Sequence, residues 1–256
     1  MVNLLLVSHS KRLADGVAEM VQQMTSSTAV KIATAAGIGE ENKELGTNAV
    51  EIMEAIEEIY SDDGILVLMD LGSAILSTEM ALNLITDEMK SNIKICPAPF
   101  VEGAIAAAVQ AGLGSDLKSV YQEAMNALKM KSDQLVEDSS DQPEEQPILS
   151  ITTKDDDETN HVTLIVPNEQ GLHARPAVLF VKTSGSYDAT VMVKNLTENK
   201  GPVPANSLIS VMNIAARKGD QVQISAEGPQ KDQVITALID LFERNFDEDK
   251  NASNHH

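Results

Sequence analysis

Gly171-Leu172-His173-Ala174-Arg175-Pro176 stands where a strand-like run, His161 to Pro167, gives way to a helical pattern, Ala174 to Ser184. A histidine at the mouth of a helix faces the unpaired N–H groups of the first turn and the positive end of the helix dipole. That arrangement suits an anion such as phosphate. The Ala174 amide belongs to the same mouth, and Arg175 adds a fixed cation with a fork of donors. Pro176 falls in the first turn, where a missing N–H leaves nothing unpaired. Gly171 permits the tight entry. A capped helix that happens to expose a histidine is the competing reading, and the order Gly, His, Arg, Pro favours the phosphate site over it.

Working outward, the flanking sequence predicts strand 161–166, helix 174–184, strand 189–194, a short strand near 200–204, helix 207–213, strand 221–226 and helix 229–246. Strands and helices alternate irregularly, which predicts an antiparallel sheet with helices on one face. Pro204, in Lys200-Gly201-Pro202-Val203-Pro204, argues against a strand just before helix 207–213. Ser207 is placed to cap that helix.

Residues 161 to about 246 resemble the histidine-containing phosphocarrier protein HPr over its whole length. Gly171-Leu172-His173-Ala174-Arg175-Pro176-Ala177 matches the motif around that family's phosphorylated histidine. Asn206-Ser207-Leu208-Ile209-Ser210-Val211-Met212 is similar to its second motif, which contains a regulatory serine. The resemblance implies a β-α-β-β-α-β-α open-faced sandwich of the α+β class. It implies a phosphoryl group carried on His173 and held by Arg175 and the Ala174 backbone. It also implies a regulatory role for Ser207, beside its role as a cap.

The first half reads differently. Val2 to Ser8 is a continuous apolar run, as in a strand buried on both faces of a parallel sheet. Lys11 to Met24 reads as an amphipathic helix. Strand 29–34, helix 47–60, strand 64–69, helix 73–85, strand 93–96 and helices 101–111 and 116–130 follow. Repeated strand–helix units predict an open parallel α/β sheet, in which ligands sit at the carboxyl ends of the strands. His9 follows the first strand, Asp70 follows the third, and Gly72 and Ser73 open the next helix. If those strands are neighbours, Asp70 fixes the tautomer of His9 and leaves its other nitrogen free to attack phosphorus. The Gly72 and Ser73 amides then receive the phosphoryl oxygens. On spacing alone, a loop histidine and a simple helix cap read equally well.

Residues 1–130 resemble the mannose-type enzyme IIA domain of the sugar phosphotransferase system, and more closely the phosphotransferase subunit of bacterial dihydroxyacetone kinase. The motifs are Val7-Ser8-His9-Ser10, Leu68-Met69-Asp70-Leu71-Gly72-Ser73-Ala74 and Ala98-Pro99-Phe100-Val101-Glu102-Gly103-Ala104. The resemblance implies that His9 is phosphorylated and that Asp70 is its carboxylate partner. It implies a homodimer through this domain, for which the small-residue run Ala104–Ala108 is a candidate face.

Composition bounds the partners. The chain carries a net charge of −20 in 256 residues. That balance argues against nucleic acid and against anionic lipid, both of which call for a basic face. A single cysteine, Cys96, excludes a disulfide framework within one chain and fits a reducing compartment; it reads as a buried thiol. No apolar run reaches membrane-spanning length and none at the start reads as a signal peptide, so a soluble cytoplasmic protein is expected. Gly37-Ile38-Gly39 lacks the third glycine of a dinucleotide fingerprint, which leaves an oxidoreductase a distant reading. The glutamates between Glu40 and Glu58 read as a solvated face, and no metal site is expected.

Residues 131–160 hold ten acids, two lysines and two prolines, with few large apolar side chains. They read as a self-repelling tether spanning on the order of 30 Å. Within it, Ile148-Leu149-Ser150-Ile151 is a short apolar exception. Residues 247–256 read as a disordered tail.

Two histidines, one per domain, predict a phosphoryl relay that holds no cofactor tightly. No Walker-type or kinase loop is present, so ATP chemistry is assigned to a partner. The resemblance implies the route phosphoenolpyruvate, enzyme I, His173, His9, then ADP on the ADP-binding subunit of dihydroxyacetone kinase, with enzyme I as a separate protein. Delivery to an enzyme IIB of a sugar transporter is one alternative. A non-catalytic module whose phosphorylation state is read by a regulator is another.

Overall fold

The structure, a computed structural model, describes residues 1–25, 29–135, 160–169, 171–172 and 174–250. The chain divides into two compact units, Met1–Leu128 and Lys129–His256.

The first unit is a parallel sheet covered on both faces. Its elements are β1 (Asn3–Ser8), α1 (Lys11–Thr25), β2 (Ile32–Ala36), α2 (Ala49–Ile59), β3 (Ile65–Met69), α3 (Gly72–Leu82), α4 (Asp87–Ser91), β4 (Ile93–Cys96), α5 (Phe100–Gly112) and α6 (Leu117–Leu135). The strand order is β2-β1-β3-β4, with Leu5 paired to Ala33 on one side and to Val67 on the other. Every residue of β1 and β3 is buried, as strands covered on both faces require. Alternate side chains supply two cores. Leu4, Leu6, Leu66 and Leu68 pack with Val17 and Val21 of α1, the alanines of α5 and Val120 and Ala124 of α6. Leu5, Val7, Ile65 and Val67 pack with Ile52, Ala55 and Ile56 of α2 and Ala74 and Ala81 of α3. Each leucine, isoleucine and valine among them contributes about 1.5–3 kcal/mol on burial.

Four details depart from the sequence reading, the first at the far end of the chain, where Asn245–Lys250 form a short 3-10 helix although a disordered tail was expected from 247. The second strand runs 32–36 rather than 29–34, because its parallel register with β1 carries it to Ala36 opposite Ser8. The helix expected over 73–85 stops at Leu82, and Thr86 caps a separate short helix, its side chain accepting from the Met89 amide. Helix α6 continues to Leu135, beyond the expected limit at 130.

The second unit contains β5 (Asn160–Ile165), α7 (Ala174–Gly185), β6 (Thr190–Asn195), β7 (Lys200–Pro204), α8 (Leu208–Asn213), β8 (Gln221–Glu227) and α9 (Lys231–Glu243). The sheet is antiparallel, in the order β5-β8-β6-β7. Burial alternates along β8 and β6, with Val222, Ile224, Ala226, Val191 and Val193 turned inward. They share the core with Phe180, Val181, Leu208, Val211, Leu238 and Phe242 from the helices, so one face of the sheet is covered and the other left open. The strand that Pro204 argued against is present. It lies at the edge of the sheet, where a residue without an N–H is tolerated.

Candidate functional site

In the first unit the sheet reverses its winding between β1 and β3, since the chain moves from β1 outward to β2 and returns to β3 on the other side. Loops after such a pair of strands diverge and leave a crevice at their carboxyl ends. His9 follows β1, Asp70 follows β3, and the Asp70 amide donates to the Val7 carbonyl at 3.2 Å. The two side chains meet, with His9 Nδ1 3.0 Å from Asp70 Oδ1. The other Asp70 oxygen accepts from the His9 amide at 2.9 Å and from the Ser8 hydroxyl at 2.8 Å. The Leu71 amide donates to Oδ1 at 2.7 Å. Burial pushes the Asp70 carboxyl up, but the hydrogen bonds from His9, Ser8 and Leu71 outweigh it and hold the group below the ordinary carboxylate range.

An ionised carboxylate only accepts, so the Nδ1 of His9 carries the ring hydrogen. The neutral ring then has its lone pair on Nε2. That atom faces the Ser73 hydroxyl at 2.7 Å, which donates to it. Gly72 and Ser73 are exposed and open helix α3, whose N-cap, Leu71, makes no side-chain capping bond. By contrast α2, α4 and α8 are capped by the side chains of Asn48, Thr86 and Ser207. Nε2 therefore stands at a helix start without a side-chain cap, an arrangement chemically able to meet an anion. The side chain of His9 is 20% exposed, enough to be reached along Nε2 while Asp70 is largely covered.

In the second unit, His173 and Gln170 lie outside the described residues. The elements on either side of His173 are fixed. Gly171 has φ +66, and a Cβ there would stand 2.2 Å from the Ala216 carbonyl oxygen, so the position requires glycine. The Leu172 amide donates to the same Ala216 oxygen at 2.8 Å. Asn168, itself buried, donates from Nδ2 to the Gly171 carbonyl at 2.8 Å. Ala174 begins α7, Arg175 is exposed on its first turn, and Pro176 is buried. Ser207 caps α8, its side chain accepting from the Ser210 amide at 3.1 Å.

The structure brings the expected His9, Asp70, Gly72 and Ser73 together at the carboxyl ends of β1 and β3 and places Arg175 and Ser207 at the starts of α7 and α8; Ser8 and Asn168, which the sequence reading did not single out, bond into the same places. Asn168 carried a signal, an Asn shortly before a glycine in a turn. Ser8 carried none beyond its place at the end of a strand. Ala104, Ala107 and Ala108 are buried in the first core and Ala106 is buried beside them, so the expected dimer face at that run is corrected to packing within the unit. Cys96 is buried, and burial pushes its thiol up. Among the described residues no group of three or more His, Cys, Asp or Glu is arranged to hold a metal ion, and no helix is long and apolar enough to cross a membrane.

Residues 3–121 match the EIIA-man family, described as PTS system fructose IIA component, and residues 161–244 match PTS-HPr, described as PTS HPr component phosphorylation site. The phosphoryl donor subunit DhaM of the PEP-dependent dihydroxyacetone kinase 2 of Listeria innocua is 39% identical over 126 residues, which are 49% of this chain and 98% of that protein. The chain belongs to the DhaM family, with an HPr domain following its IIA domain. The DhaM subunit of Escherichia coli K12 is 40% identical over 248 residues, 97% of this chain and 51% of that protein. The phosphocarrier protein NPr of Klebsiella oxytoca is 40% identical over 88 residues, 34% of this chain and 94% of that protein. The chain spans about half the length of the first DhaM relatives it matches along its whole extent.

Proposed function

We propose that the chain is a phosphoryl relay of the phosphoenolpyruvate-dependent phosphotransferase system. In this reading enzyme I phosphorylates His173, and His173 passes the group to His9. His9 then gives it to ADP bound on the ADP-binding subunit of a dihydroxyacetone kinase, whose ATP phosphorylates dihydroxyacetone. The chain itself holds no nucleotide. The observation that carries the proposal is the His9 ring, with Nδ1 bound to Asp70 and Nε2 beside Ser73 at the uncapped start of α3.

In the step at His9 the Nε2 lone pair forms the bond to phosphorus as the bond to the donor imidazole breaks. The departing imidazole keeps the electron pair. Asp70 stabilises the positive charge that the ring acquires, and the Gly72 and Ser73 amides with the Ser73 hydroxyl receive the phosphoryl oxygens. Transfer onward is the same step with an ADP oxygen as the attacking atom. Positioning and charge carry such a transfer, because the phosphoryl group needs little covalent help. Arg175 and the Ala174 amide serve His173 in the same way, and Ser207 is the candidate for regulation.

Two further observations support this acceptor. Leu71, Ile75, Leu76 and Met80 are exposed on and beside α3, an apolar surface suited to a docking protein next to His9. The DhaM relatives named above are phosphoryl donor subunits of a dihydroxyacetone kinase, which favours this acceptor over an enzyme IIB. A homodimer through the first unit belongs to the proposal, and sedimentation of the full chain tests it.

The deciding experiment incubates the purified chain with enzyme I and phosphoenolpyruvate, maps the label, and then adds the ADP-loaded kinase subunit. Label on both histidines that is discharged to ATP is expected. Normal labelling of His9 in a His173→Ala chain, with no other HPr added, overturns the order.

A further inference from the structure

Ser8 is fully buried at the end of β1, and its hydroxyl has two partners whose directions fix it. The Ser10 amide donates to Oγ at 3.1 Å, and Oγ stands 2.8 Å from Asp70 Oδ2. Because an amide only donates and an ionised carboxylate only accepts, the Ser8 hydrogen points at Asp70. A carboxylate offers about four lone-pair directions. At Asp70 they are used by the His9 ring, the His9 amide, the Leu71 amide and Ser8. Three of these bonds come from the backbone or from His9 itself. Ser8 is the one other side chain among them, and its own position is set by the chain entering α1.

We propose that Ser8 is a positioning residue for phosphoryl transfer at His9. It acts through Asp70: by filling the outer lone pair of Oδ2 it stops the carboxylate from turning, and so holds Oδ1 on the Nδ1 hydrogen. That keeps the reactive lone pair on Nε2, in line with Ser73 and the start of α3. Without the hydroxyl, Asp70 gains a rotational freedom and an unfilled acceptor in a largely buried place. The ring then populates both tautomers, and only the one protonated at Nδ1 presents a lone pair at Nε2. Ser8 touches neither the phosphoryl group nor the reacting nitrogen. The inference rests on the proposed phosphorylation of His9, but its first test does not.

That test uses ring 15N NMR of the unphosphorylated full-length chain. The His9 signals of the wild type and of Ser8→Thr are expected to report mainly the tautomer protonated at Nδ1. Those of Ser8→Ala should move toward a mixture. The second test is rapid-quench labelling with enzyme I and phosphoenolpyruvate. Ser8→Ala should label His9 about tenfold more slowly, as losses of outer-shell partners commonly do, with His173 labelled at the wild-type rate and Ser8→Thr restoring His9. Wild-type tautomer signals together with a wild-type labelling rate in Ser8→Ala would sink the proposal. Should Ser8→Ala fail to fold, Ser8→Cys is read in its place, since a thiol fits the site but donates weakly. If the wild-type chain takes no label at His9, the relay reading fails while the tautomer result still decides the role of Ser8.

Discussion

Four hydrogen bonds converge on Asp70 and hold its carboxyl below the ordinary carboxylate range, so it keeps its charge and acts on His9 as a fixed negative charge. Asp70→Asn keeps the size but replaces that charge with a neutral amide. We expect phosphorylation of His9 to slow by about a hundredfold, within the range of positioned acid–base partners, with His173 labelling unchanged. Equal loss at both histidines, measured in the enzyme I assay, would count against the assignment. The lowered carboxyl also makes a statement about stability. A group whose folded-state pKa is depressed adds stability above its unfolded value, and that stability is lost as pH falls through the folded value. The difference in melting temperature between the wild type and Asp70→Asn should therefore hold near neutral pH and shrink as acid carries the solution below the ordinary carboxylate range. A difference that grows in acid would contradict the sign. His9 and Asp70 were readable in the sequence because each follows a hydrophobic strand, where polar side chains in parallel sheets collect. Their contact was readable only on the condition that β1 and β3 are neighbours, which no local pattern states. Ser8 stayed unread because a serine that ends a strand looks the same whether it faces solvent or a carboxylate.

The proposed anion contacts lie at the ends of helices, and the local signals of the sequence were clearest there. Ser207 followed by an apolar run announced a cap, and the cap is present. Its removal in Ser207→Ala should lower the stability of the second unit by about 1 kcal/mol, while Ser207→Asp should retain most of it. Denaturant unfolding followed by a probe in that unit measures both. Gly171 announced a turn, and its positive φ against the Ala216 carbonyl accounts for it. Gly171→Ala should cost about 2 kcal/mol in strain and slow labelling of His173, as read in the same enzyme I assay. Wild-type stability and labelling in that variant would show that the loop yields without consequence. The elements that escaped reading did so for tertiary reasons. The alanines that end β2 are poor strand formers, and pairing with β1 holds them extended. Helix α3 was drawn past Leu82 because the apolar pattern runs on to Ile85, and the short α4 that follows it was not anticipated. The alanine run of α5 suggested an external contact, yet small side chains also serve to bring a helix close to a sheet inside one unit.

At the scale of the molecule, the two proposed phosphoryl sites share one chain, which makes transfer between them a kinetic question. If His173 serves His9 of its own chain, the rate of that step is independent of protein concentration, because the two groups then meet within one molecule. Single-turnover labelling at several dilutions checks this, and a rate that falls in proportion to dilution would assign the transfer to separate molecules. The sequence prepared this reading through composition alone, since acid-rich residues separate two stretches of regular pattern. The proline-bearing border of the second sheet has a consequence of another kind. Pro202 and Pro204 deprive β7 of two amides on a margin that a foreign strand would otherwise extend. In the proposed relay, a carrier that meets several proteins in turn is thereby shielded along this margin from fibrous self-stacking, and its encounters are steered toward surfaces that let go.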